Sequence, residues 1–168
     1  MTVEALKANE IERIVLTRPA VDSGASIGYL PGTMEEKIGP YLVPLFDELS
    51  HYVEQKTIKA WMEHRIIEIV PLPMMRGRTF NNSFVIFDEV QNATEGEIRM
   101  CLTRIGLNSK MVLVGDLKQS DLPEHSRGAF NRCLNRLNDL DGVGVVRLGS
   151  EDIVRHPLIA EIERRLSQ

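Results

Sequence analysis

The chain has 168 residues, of which 43% are apolar and 26% charged, and a net charge of −4. That is the size and mix of one globular domain. It excludes a disordered tail, a fibrous repeat and adhesion to nucleic acid through bulk charge. No apolar run nears the ~18 residues of a membrane span, and the polar start MTVEALKANEIER does not read as a secretory leader.

The first strand expected along the chain is Arg13–Thr17 (RIVLT). Thr33 and Glu36 have the spacing of a capping box, and Leu42, Leu45, Phe46, Leu49 and Val53 follow at helical intervals. Pro40 and Pro44 break or restart that helix. A turn or two around Ile58–His64 leads to a second strand, Ile66–Val70, and a third follows at Phe84–Asp88. Thr94 and Glu97 form a second capping box ahead of the stripe Ile98, Cys101, Leu102 and Ile105, with Gly106 as the stop. Met111–Gly115 is the fourth strand. Phe130, Cys133, Leu134 and Leu137 make another helical stripe, and Gly144–Leu148 (GVVRL) is the fifth strand. A last helix begins at Pro157, with Leu158, Ile159, Ile162 and Leu166 facing inward. Three strands are nearly continuous apolar runs, as in strands buried on both faces of a parallel sheet. The expected fold is a single α/β three-layer domain over residues 1–168 with a mostly parallel sheet. Cys101 and Cys133 lie in separate helical patterns and are expected to be reduced core thiols of a cytoplasmic protein.

Ligands of such sheets sit at the carboxyl ends of the strands. Thr17-Arg18-Pro19 follows the first strand, Asp88-Glu89-Val90-Gln91-Asn92 the third, and Gly115-Asp116-Leu117-Lys118-Gln119 the fourth. Asp88, at the tip of an apolar strand, is placed to hold Mg²⁺ through water, since a hard cation prefers oxygen ligands. Glu89 is placed to orient or deprotonate water attacking a γ-phosphate. The other reading of the pair is two solvated acids capping the next helix. Gln119 is either a γ-phosphate sensor or a loop residue satisfying backbone groups. Arg18, Arg76, Arg78 and Arg155 are candidate phosphate ligands, because a guanidinium fork matches phosphate oxygens. Each is equally readable as a surface arginine. The four histidines lack metal-ligand spacing.

Several strings, taken in order, resemble the PhoH family of phosphate-starvation-type P-loop ATPases: Ile14–Pro19 (IVLTRP), Gly28–Gly32 (GYLPG), Met75–Thr79 (MRGRT), Phe87–Asn92 (FDEVQN), Leu102-Thr103-Arg104, Gly115-Asp116 with Gln119, and Val154–Pro157 (VRHP). The likeness runs from about Val3 to Leu166. It implies a RecA-like domain that binds ATP and Mg²⁺, often as a ring-shaped homo-oligomer, and is linked to RNA metabolism. By position it makes Asp88 the magnesium-associated acid, Glu89 the catalytic base and Gln119 the γ-phosphate sensor. Arg18 and Arg155 become nucleotide-contacting residues, Arg155 alternatively an inter-subunit one. The family's first strand and its Gly-x-x-x-x-Gly-Lys-Thr loop have no counterpart in these residues, and Thr2–Asn9 resembles the tail of the helix that follows that loop. The expectation is an N-terminally truncated domain with impaired hydrolysis, the missing strand supplied by another chain. The alternative is a catalytically inactive subunit that binds RNA or protein.

Overall fold

Four apolar runs pair into one sheet in the computed structural model, which describes residues 1–19, 43–44, 46–117 and 119–149, with 152, 154, 158–159, 162 and 165. The strands are β1 (Arg13–Thr17), β2 (Ile67–Ile69), β3 (Ser83–Phe87) and β4 (Lys110–Leu113). All pairs are parallel, in the order β2-β1-β3-β4. Ile14, Val15 and Leu16 are buried to within 1% in β1, as are Val85 and Phe87 in β3. Burial on both faces is what the unbroken apolar runs require.

Alternate strand residues face opposite ways. On one face Ile14, Leu16, Ile67 and Phe84 join Ile11 and Ile58 in a core cluster. The helices α1 (Thr2–Lys7) and α2 (Gln55–Glu63) lie along it. Leu6, Phe46, Leu49, Val53 and Trp61 pack against that cluster. On the other side, α3 (Glu95–Leu102) packs on the 3-10 turn Leu72–Met75. Ile98, Cys101, Leu72 and Met75 are all buried there. Burial pushes the Cys101 thiol up to about 12. It is therefore an inert core residue, as expected. Thr94 caps α3: its hydroxyl accepts the Glu97 N–H while the Glu97 carboxylate accepts the Thr94 N–H.

Three expectations are corrected. Residues 144–148 form no strand, and Val146 and Leu148 are exposed. An apolar alternation becomes a strand only when its N–H and C=O groups are paired, and no described residue pairs with this run. Gly106 does not end α3. The helix stops at Thr103, whose hydroxyl donates to the Met100 carbonyl. Ile105 instead bridges Phe80 in parallel fashion and is exposed. Gly106 follows because a Cβ there would lie 2.5 Å from the Phe80 carbonyl oxygen. Leu158 and Ile162 are helical but exposed rather than inward-facing. The pattern marks an apolar side without saying what covers it. The first capping box, Leu42, Leu45, Pro157 and Leu166 lie outside the described residues.

The chain divides into two compact units, Met1–Cys133 and Leu134–Gln168. The sheet and every strand end belong to the first. Helix α4 (Ala129–Leu137) begins in it, with Ala129 and Phe130 buried. In the second unit, Asp152 accepts the Gly149 N–H at 2.7 Å. Among the described residues, no helix is long and apolar enough to cross a membrane.

Candidate functional site

The strand order creates a switch point. From β1 the chain goes to β2 on one side; from β3 it goes to β4 on the other. Adjacent strands whose connections leave in opposite directions open a crevice at their carboxyl ends. β1 and β3 are that pair, with Thr17 in register with Phe87. The next residues, Arg18 and Asp88, are therefore neighbours, and the Asp88 N–H donates to the Thr17 carbonyl at 3.0 Å.

Three charged side chains meet there. Arg18 Nη2 lies 2.8 Å from Glu89 Oε1 and 3.5 Å from Asp88 Oδ2. Asp88 is 22% exposed. Burial raises its pKa above the usual carboxylate value, while Arg18 and the Glu89 N–H act in the opposite, lesser direction. Glu89 sits in the left-handed region, φ 54° and ψ 39°. A non-glycine residue is uncommon there, and such strain gathers at functional sites. At the end of β1 the buried Thr17 hydroxyl has no hydrogen-bond partner among the described residues.

The backbone of β3 and β4 keeps pairing past the strands: Val114 donates to Phe87 and Val90 to Val114. That sets residues 115–117 and 119–121 against the single turn Val90–Asn92. Ser120 Oγ donates to the Gln91 carbonyl, and Asn92 Oδ1 accepts the Asp121 N–H. Gln91 Nε2 donates to Glu89 Oε2, while its Oε1 accepts the Asp116 N–H at 3.1 Å. Gln119 is exposed in this loop, its N–H donating to the Asp116 carbonyl.

The structure thus brings Arg18, Asp88 and Glu89 into contact and docks the Gln119 loop beside them. Arg155 lies outside the described residues. Arg78 is engaged elsewhere. Its guanidinium gives Glu68 two bonds, of 2.7 and 2.8 Å, and stacks 4.8 Å from the Phe80 ring. Arg76 is exposed. Gln91 was not among the expected site residues. Its position two places after Glu89 was the visible signal, but its second partner lies 25 residues downstream.

Comparison with known proteins gives one consistent result. The family model described as "PhoH-like protein" matches residues 1–167. A PhoH-like protein of Bacillus subtilis is 46% identical over 160 residues, 95% of this chain and 50% of its own length. One from Synechocystis is 44% identical over 96% of this chain and 49% of its own. Protein PhoH of Escherichia coli K12 is 39% identical over 92% and 44%. The chain spans about half the length of the curated relatives it matches.

Proposed function

Because the chain belongs to the PhoH-like protein family, we propose that it binds ATP with Mg²⁺ at the Arg18–Asp88–Glu89 edge and serves ATP hydrolysis in RNA metabolism. The carrying observation is the convergence of these side chains at the switch point of a parallel sheet. The RNA link rests on the family resemblance alone.

The donor set fits the ion. Among the described residues there is no group of three or more His, Cys, Asp or Glu able to cage a metal. Mg²⁺ needs no such cage: one or two carboxylates suffice, with water and phosphate oxygens completing the shell. When bound, Mg²⁺ neutralises charge on the β- and γ-phosphates. Asp88 would steer the ion. Arg18, displaced from Asp88, would offer its fork to phosphate oxygens. Glu89 would orient the attacking water and accept its proton at a carboxylate oxygen. Gln119 would reach the γ-phosphate from the neighbouring loop, and Arg155 would contact nucleotide or a neighbouring subunit.

These 168 residues hold no Gly-x-x-x-x-Gly-Lys-Thr loop. Such a loop supplies the main backbone donors to the β- and γ-phosphates. Binding by the chain as it stands should be weak and turnover slow. Calorimetric titration with a non-hydrolysable ATP analogue tests the reading. The expected result is binding that requires Mg²⁺, is lost in Asp88→Ala and persists in Glu89→Gln. No binding at millimolar analogue, or binding indifferent to Mg²⁺ and to Asp88→Ala, overturns it. The second reading, an inactive subunit that binds RNA or protein, is favoured by Arg18, which already pairs with both acids.

A further inference from the structure

Gln91 is 6% exposed, and both ends of its carboxamide are used. The Nε2 end holds the Glu89 carboxylate; the Oε1 end holds the Asp116 N–H. An amide is a neutral side chain that can donate to a carboxylate and accept from a backbone N–H at once. An apolar side chain of that size would take this acceptor from the Asp116 N–H, and a carboxylate would repel Glu89. Residue 115 is shaped to the same contact. A Cβ there would lie 2.6 Å from Gln91 Oε1 and 3.1 Å from the Phe130 ring, so glycine lets the loop close over the amide.

We propose that Gln91 is a positioning residue: a strut that holds Glu89 and the loop carrying Gln119 in one register, so that a shift of the loop is passed to the Glu89 carboxylate. The functional sense of the strut rests on the reading of Glu89 above; its mechanical part does not.

Amide hydrogen exchange of Asp116, measured by NMR on the full 168-residue chain without nucleotide, tests it. Glu89→Ala removes the far anchor of the strut and should speed Asp116 exchange several-fold. Gln91→Met should speed it about tenfold, the scale of one lost hydrogen bond. Adding Glu89→Ala to Gln91→Met should then change nothing more. That non-additivity is what a mere space-filler under Gly115 would not produce. Gln91→Glu, which keeps an acceptor for Asp116, serves if the methionine variant does not fold. Asp116 should stay protected in it, and adding Glu89→Ala, which removes a repulsion there, should not speed its exchange. The Val85 amide, in the central strand, reports global unfolding in every sample. Asp116 exchange that ignores Glu89→Ala, or responds to it equally with and without Gln91, overturns the strut. Titrating Mg²⁺ and ATP analogue into the same samples separates the two ideas. Coupling without any nucleotide response sinks the ATP reading and leaves the strut. Nucleotide binding with an additive cycle sinks the strut alone.

Discussion

Replacing Asp88 with asparagine should make the fold more stable, although it removes the acid proposed to steer Mg²⁺. Asp88 follows a fully buried Phe87 and is itself only 22% exposed. Desolvation outweighs the help of Arg18, which stands 3.5 Å away, so the native pKa lies above the usual value. The sign follows from linkage. As pH rises, the unfolded chain releases this proton before the native chain does. The native state thus loses stability as pH climbs from the ordinary Asp range through the raised native value. At neutral pH the charge is a net burden. Asparagine keeps the shape and removes the charge, and Arg18 retains its shorter bond of 2.8 Å to Glu89. Partial exposure screens the effect, so the expected gain is about 1 kcal/mol, within the range of single stabilising changes. For a chain of this length that is a rise in Tm of about 2–4 °C. Thermal melts of both proteins near neutral pH, and again below the ordinary carboxylate range, give the answer. The gain should vanish at low pH, where Asp88 is already protonated. A lower Tm for Asp88→Asn at neutral pH would refute the reasoning, because it would mean that attraction to Arg18 exceeds the desolvation cost. A gain that persists unchanged at low pH would show that charge is not its source.

Gly106→Ala should cost about 2 kcal/mol, since its Cβ would press on the Phe80 carbonyl and the Asn81 side chain at a backbone crossing. Urea midpoints check this, and a neutral or stabilising result would mean that the crossing shifts freely. The Glu68–Arg78 pair should contribute about 1 kcal/mol at neutral pH, discounted for its partly exposed arginine. The Arg78 hydrogen bonds depress the Glu68 pKa. That stability is therefore present above the ordinary Glu value and decays as pH falls through the lowered one. Comparing Glu68→Gln with the parent by denaturant unfolding across that window should show the difference closing toward acid. A constant difference would assign it to packing.

Most of the sheet was legible because parallel strands buried on both faces must be apolar throughout. Four of the five expected strands coincide with β1 to β4 to within two residues at each end. The capping box at Thr94 was equally plain, because both of its bonds are local. What stayed hidden depends on partners far away in the chain. Residues 144–148 have the composition of a strand, but composition does not supply a ladder. Gly106 resembles a helix stop, yet its reason is a crossing with Phe80, 26 residues earlier. Arg78 resembled a phosphate ligand until the fold set Glu68 beside it. Within the site, the Asp88-Glu89 pair stood out at a strand tip. Its contact with Arg18 required knowing that β1 and β3 are neighbours in register.

The left-handed backbone at Glu89 has a consequence for anyone engineering this chain. Glycine or asparagine would occupy that conformation with less strain, by about 1 kcal/mol in the case of glycine. A library sorted only for heat resistance would therefore be drawn to position 89 and would enrich variants without the acid. Robust clones from such a sort would be the ones that lack the proposed catalytic base. Any campaign on this scaffold needs a nucleotide readout running beside the thermal one, with residue 89 held fixed.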